Sequence, residues 1–152
     1  MFANYKFMHE AINKAKEAYN QGEVPVGAVI VDYKADIIIA KAFNKIEVSK
    51  DPTAHAEILA IRAACKLKNS PRISDCDIYI TLEPCSMCAQ AIAYARFRRV
   101  YFGAYDEKGG GIVNGPKIFN NKNINHVPEI YSGICQKESE ELLKFFFQNL
   151  RK

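Results

Sequence analysis

Apolar positions along this chain change their period several times, and each change marks an element. Across residues 7–20 they recur at helical spacing (Phe7, Ala11, Ile12, Ala15, Ala18), and Gly22 supplies a stop. Residues 26–32 and 37–43 are strand-length apolar runs separated by the turn Tyr33-Lys34-Ala35, which predicts an antiparallel hairpin. A polar loop over 44–51 leads to a second helix over 53–67, and Pro71 lies in the loop after it. A strand over 77–82 runs directly into a helix that starts at Pro84 and ends near Arg96, and a fourth strand spans 99–104. Residues 126–131 are predicted as a short extra strand. Residues 136–152 form a last helix with Leu142, Leu143, Phe146 and Leu150 on one face. Phe145, Phe146 and Phe147 cannot all be buried on that face. The surplus rings serve core packing, a partner surface or a stacking platform for a base, in that order of expectation.

Strand, helix, strand, helix, strand from residue 36 onward argues for βαβ crossovers and a sheet covered on both faces. Open α/β sheets place ligands at the C-terminal ends of strands, which directs attention to the junction of the third strand and its helix. A length of 152 residues suits one domain, 1–152, and the composition (49% apolar, 25% charged) is ordinary globular usage. The longest apolar runs, such as Ile37-Ile38-Ile39-Ala40, are strand-sized. Neither a signal peptide nor a membrane span is predicted, and a soluble, cytoplasmic protein is expected. The net charge of +4 permits a nucleic-acid partner without demanding one; Arg96, Arg98 and Arg99 are its tightest cluster.

Five cysteines is an odd number and no disulfide framework. Cys65, Cys76 and Cys135 are scattered and read as free thiols. Cys85 and Cys88 are different, because Glu83-Pro84-Cys85-Ser86-Met87-Cys88 pairs with Thr53-Ala54-His55-Ala56-Glu57. Catalytic zinc sites typically keep three protein ligands and leave the fourth position to water. His55, Cys85 and Cys88 supply three, and Glu57 stands where a general acid/base is wanted. This His-x-Glu and Pro-Cys-x-x-Cys order is the established signature of zinc deaminases.

The spacing has geometric consequences. Pro84 at the first helical position would put both thiolates on the first turn, at a helix N-terminus that favours negative charge. Two helical residues two apart, such as His55 and Glu57, point about 200° apart. They serve one site only if it lies off the end of their helix, with Asp51 or Thr53 as the cap. Two helix N-termini facing one metal are therefore predicted. Gly109-Gly110-Gly111 opens an irregular loop and is a weak signal alone. A closed structural zinc site, with Cys65, Cys76 or His126 as fourth ligand, and a thiol redox pair at Cys85 and Cys88 are the alternatives. The second leaves His55 and Glu57 unexplained.

Beyond the zinc motif, the chain resembles the bacterial tRNA-specific adenosine deaminases of the cytidine-deaminase-like zinc superfamily. The likeness runs through Glu23-Val24-Pro25-Val26-Gly27-Ala28-Val29, Asn44 and Asp51-Pro52-Thr53-Ala54-His55-Ala56-Glu57. It continues through Thr81-Leu82-Glu83-Pro84-Cys85-Ser86-Met87-Cys88, Arg99-Val100, Phe102-Gly103-Ala104, Asp106, Asn125-His126 and Leu142-Leu143. The resemblance implies a three-layer α/β/α fold with a mixed central sheet of about five strands, cytidine-deaminase-like. It implies a homodimer with one Zn2+ per subunit that converts adenosine to inosine at the wobble position of a tRNA anticodon. Asn44 is then expected to contact the target base and Asp106 to lie near the substrate. Zinc would bring the pKa of a bound water to roughly 7 and so provide hydroxide as nucleophile, with Glu57 as proton shuttle. The backbone N–H groups of Ala56 and Cys85 are candidate oxyanion donors. A deaminase of free bases or nucleosides is the runner-up. Where many members carry Lys-Thr-Gly-Ala and then Gly-Ser, this chain has Lys108-Gly109-Gly110-Gly111-Ile112-Val113-Asn114-Gly115, so contacts there transfer least safely.

Overall fold

A computed structural model describes residues 5–150. Five strands form one sheet in the order β2-β1-β3-β4-β5: β1 Gly27–Asp32, β2 Ile37–Phe43, β3 Cys76–Leu82, β4 Arg99–Ala104 and β5 Glu129–Tyr131. The hairpin β1–β2 is antiparallel, β1 also pairs antiparallel with β3, and β3–β4 and β4–β5 are parallel. The helices are α1 Tyr5–Asn20, α2 Ile46–Ser49, α3 Ala56–Lys68, α4 Ser86–Ala95 and α5 Gln136–Leu150. The mixed five-strand sheet with helices on both faces is the fold that the sequence implied. None of the described helices is long and apolar enough to cross a membrane.

Alternation in the central strands explains the two layers. Ala28, Ile30, Ile78, Ile80, Val100 and Phe102 point to one face, where Ala56, Ala60 and Ala64 of α3 and Ala89, Ile92 and Ala93 of α4 cover them. Val29, Val31, Tyr79 and Tyr101 point to the other, under Phe7, Met8, Ala11 and Ile12 of α1. The alanines let α3 and α4 sit close to the sheet. On the α1 side Gly27 serves the same purpose, since a Cβ there would fall on the Ala11 carbonyl oxygen. On that side too, Tyr79, Tyr101 and Tyr131 stack across three adjacent strands, with centroids 4.3 and 5.1 Å apart.

Three expectations are corrected. Residues 46–49 of the predicted polar loop are the short helix α2, because the buried Glu23 accepts hydrogen bonds from the N–H groups of Glu47 (3.0 Å) and Val48 (2.8 Å). Leu150 is exposed, because the last turns of α5 outrun the sheet; Phe146 is the buried ring and Phe145 and Phe147 face outward. The two helices of the site begin later than predicted. Asp51 uses its carboxylate on the Thr53 N–H and hydroxyl instead of capping α3. Arg151 and Lys152 of the predicted last helix lie outside the described residues.

Candidate active site

His55 is the N-cap of α3 and Cys85 the N-cap of α4, both with extended backbone (φ −70°, ψ 149° and φ −70°, ψ 175°). Neither side chain makes a capping hydrogen bond, so both are free to point off the helix ends. Cys88 lies three residues into α4 and is buried. His55 Nδ1 stands 3.6 Å from each Sγ, and all three donor atoms lie within 4.8 Å of one another. A tetrahedral zinc with Zn–S near 2.3 Å and Zn–N near 2.0–2.1 Å separates its nitrogen and sulfur donors by about 3.5 Å. The donor set therefore fits zinc in both chemistry and spacing. The predicted meeting of two helix ends at one place is present, with Cys85 two positions nearer the start of its helix than expected and His55 likewise moved to the N-cap.

The suggested fourth ligands are elsewhere. Cys76 sits beside the Asp75 carboxylate (3.5 Å) and the His126 Nε2 is 2.7 Å from the Phe97 carbonyl oxygen. Among the described residues the metal cluster at this place consists of His55, Cys85 and Cys88, the three-ligand arrangement of a catalytic site. All five cysteines are free. A second grouping, His9, Cys135 and Glu138, has equally close donor atoms but lies on the open surface, with His9 and Glu138 more than half exposed and 3.8 Å apart.

Glu57, on the second residue of α3, is buried beneath the cluster at 4% exposure. Burial raises its carboxyl above the ordinary carboxylate range, and the nearby Cys85 adds to the effect. The hydrogen bond with the Cys88 side chain, together with that to His55, lowers the Cys85 thiol to about 4. The same contact with Cys85 raises the His55 imidazole.

A cavity of roughly 210 Å³ opens above these groups, lined among others by Val26, Asn44, Ile46, Leu82, Glu83 and Asp106. Asn44 is buried, and much of its carboxamide is already used. Its Oδ1 accepts from the Ala56 N–H (2.8 Å) and its Nδ2 donates to the Val24 carbonyl (3.2 Å). Asn44 thus caps α3 from a distance, in place of His55. This corrects one expectation: the Ala56 N–H is spent on Asn44 and is not free to serve as an oxyanion donor. Asp106 lines the cavity while its Oδ1 accepts from the N–H groups of Lys108 (3.2 Å) and Gly109 (2.9 Å), forming the turn that starts the glycine loop.

Residues 2–104 match the cytidine and deoxycytidylate deaminase zinc-binding region. Full-length relatives narrow the assignment. The tRNA-specific adenosine deaminase of Rickettsia bellii is 48% identical over 95% of this chain and 99% of its own length. That of Aquifex aeolicus is 46% identical over 95% and 94%, respectively. The chain belongs to the tRNA-specific adenosine deaminase family. A solved structure described as concerning A-to-I editing by tRNA:A34 deaminases at the wobble position of transfer RNA superposes with a TM-score of 0.88 at 43% identity, covering 91% of this chain and 99% of that one. A guanine deaminase from Nitrosomonas europaea shares the fold (TM-score 0.83) at 17% identity. As a member of the family, the chain is a zinc-dependent deaminase acting on a C–N bond, and His55, Cys85 and Cys88 are the residues whose donor atoms could hold the metal.

Proposed function

We propose that this enzyme hydrolyses adenosine to inosine at the wobble position of a tRNA anticodon, that it works in the cytoplasm as a homodimer, and that residues 1–152 form a single deaminase domain. The observation that carries the reading is the buried Glu57 carboxylate beneath a three-ligand zinc site at the floor of a small cavity. At roughly 210 Å³ that cavity is smaller than the about 300–1,000 Å³ of drug-sized ligand sites, and it suits one base taken out of its stack. An anticodon loop is single-stranded already, so little pairing energy is lost in presenting the base.

Zinc, when bound, supplies a water that ionises near neutral pH. The chain's own residues supply the rest. Glu57 accepts the proton of the attacking water and delivers it to the ring nitrogen beside the carbon that bears the amino group. It then takes the second proton, from the hydroxyl now on that carbon, and gives it to the departing nitrogen as the C–N bond breaks and the C=O forms, so adenosine and water give inosine and ammonia. Burial raises the Glu57 carboxyl, which favours its holding the proton between the two transfers. Asn44 retains one Nδ2 hydrogen beyond its bond to Val24, and this hydrogen reads the base edge. Val26, Ile46 and Leu82 give apolar contact to the ring. The Cys85 N–H is the oxyanion donor that remains in the proposal, and Asp106 stands at the substrate side of the cavity.

Inosine formation in an anticodon stem-loop with adenosine at the wobble position tests this reading. Guanine, cytosine and free adenosine are assayed in parallel. Turnover of the stem-loop supports it; turnover of a free base alone replaces it with the nucleobase-deaminase alternative.

A further inference from the structure

Glu83 directly follows β3, two residues before the candidate zinc ligand Cys85, and it is buried at 2% exposure. Its carboxylate is the hub of the loop that follows β4. Oε2 accepts from three consecutive backbone N–H groups, those of Ile112 (3.1 Å), Val113 (2.9 Å) and Asn114 (3.0 Å). Oε1 accepts from the Asp106 N–H (3.1 Å) and from the Asn114 Nδ2 (2.7 Å). Consecutive amides that converge in this way form an anion-binding nest, and here the chain's own carboxylate fills it. Such charge-assisted bonds are about twice as strong as neutral ones.

The glycines complete the clasp. A Cβ at Gly110 would stand 2.5 Å from the Glu83 carboxylate, and one at Gly111 would stand 2.6 Å from the Ser86 nitrogen and 2.8 Å from the Cys85 carbonyl carbon. The Gly111 N–H donates to the Pro84 carbonyl (2.8 Å). The loop is therefore laid directly on the start of α4, where the departure at Gly109-Gly110-Gly111 and Asn114 occurs. Asp106, at the near end of this clasp, and Glu83 both line the cavity.

We propose that Glu83 is a positioning residue of the deaminase: by filling the amide nest of residues 112–114 it fixes the loop of residues 106–114, and with it Asp106 at the edge of the cavity, for seating the substrate RNA. The inference rests on the tRNA-deaminase reading. Glu83 touches no reacting atom, so its work is expressed in substrate binding and not in the chemical step. In Glu83→Gln the amide keeps the shape but turns a donor toward converging N–H groups.

The test is steady-state kinetics of the zinc-loaded full chain on the anticodon stem-loop, with metal content measured for each protein. The expected result for Glu83→Gln is a KM raised about tenfold or more, a kcat within about twofold of wild type, and one zinc per chain. Asn114→Ala removes a single contact and is expected to shift KM in the same direction by about two- to fivefold; it carries the test if Glu83→Gln does not fold. An unchanged KM in the variants, a fall confined to kcat, or loss of zinc would overturn the proposal. Wild type without turnover of the stem-loop would instead fail the substrate reading itself.

Discussion

At the scale of single residues, the site works because several side chains decline their local roles. His55 and Cys85 occupy N-cap positions, where a capping bond is worth about 1 kcal/mol, yet neither side chain makes one and both are left for the proposed metal. Asn44 supplies the missing cap for α3 through the Ala56 N–H. Asn44→Ala should therefore lower folding stability by about 1–2 kcal/mol in urea titration, in addition to weakening substrate binding. A purely base-reading Asn44 would leave the urea midpoint unmoved. The grouping of His55, Cys85 and Cys88 was legible in the sequence, because His-x-Glu with Pro-Cys-x-x-Cys needs only local spacing. The second job of Asn44 was not, since it depends on a contact twelve residues away. Glu83 stood in the recognised motif without a role, because its partners lie 23 to 31 residues further on. A glutamate at the end of an apolar strand, just before a proline, was the one available sign. Removing zinc with a chelator should abolish deamination and lower Tm, and added zinc should restore both.

At the scale of elements, hydrophobic periodicity located α1, the hairpin and the two site helices, since each buries a regular stripe or alternating face. Ends were less legible. The starts of α3 and α4 shift because His55 takes the cap position expected of Asp51 or Thr53, and Cys85 caps the helix that Pro84 was expected to open. The helix α2 is held by Glu23 from more than twenty residues away, which no local pattern discloses. The close fit of α1 on β1 gives a sharp expectation. Gly27→Ala would drive a methyl group into the Ala11 carbonyl and the Ala15 nitrogen, and should cost about 1–3 kcal/mol by urea unfolding. Equal stability of the two proteins would show that α1 does not pack there as described.

At the scale of the whole molecule, the sheet brings the C-terminal end of β3 and the starts of α3 and α4 together, so that His55 and Cys85, thirty positions apart, come within 3.6 Å. A charge network far from this site ties other elements. Lys68, in the last turn of α3, bonds Asp32 at the end of β1 (2.6 Å) and Asp75 before β3 (2.9 Å). The bond to Lys68 lowers both carboxyls, with the Ala35 N–H helping at Asp32. A lowered folded pKa contributes stability that is fully present above the unfolded value of about 3.9 and is lost as pH falls through the folded values. Lys68→Met should accordingly lower Tm at pH 7, and the gap to wild type should close by pH 2–3. These charges are partly exposed, so the gap should also shrink at high salt. A gap that persists at low pH would assign the loss to packing of the lysine stem.

The central claim is that Glu57 carries the proton for deamination of a tRNA adenosine above a three-ligand zinc. Its most direct test is inosine formation in a wobble-adenosine anticodon stem-loop by wild type and Glu57→Ala, with zinc quantified in both. The account predicts inosine from wild type, a rate at least about 100-fold lower from the variant, and one zinc per chain in each. Comparable rates from the two zinc-loaded proteins would contradict it.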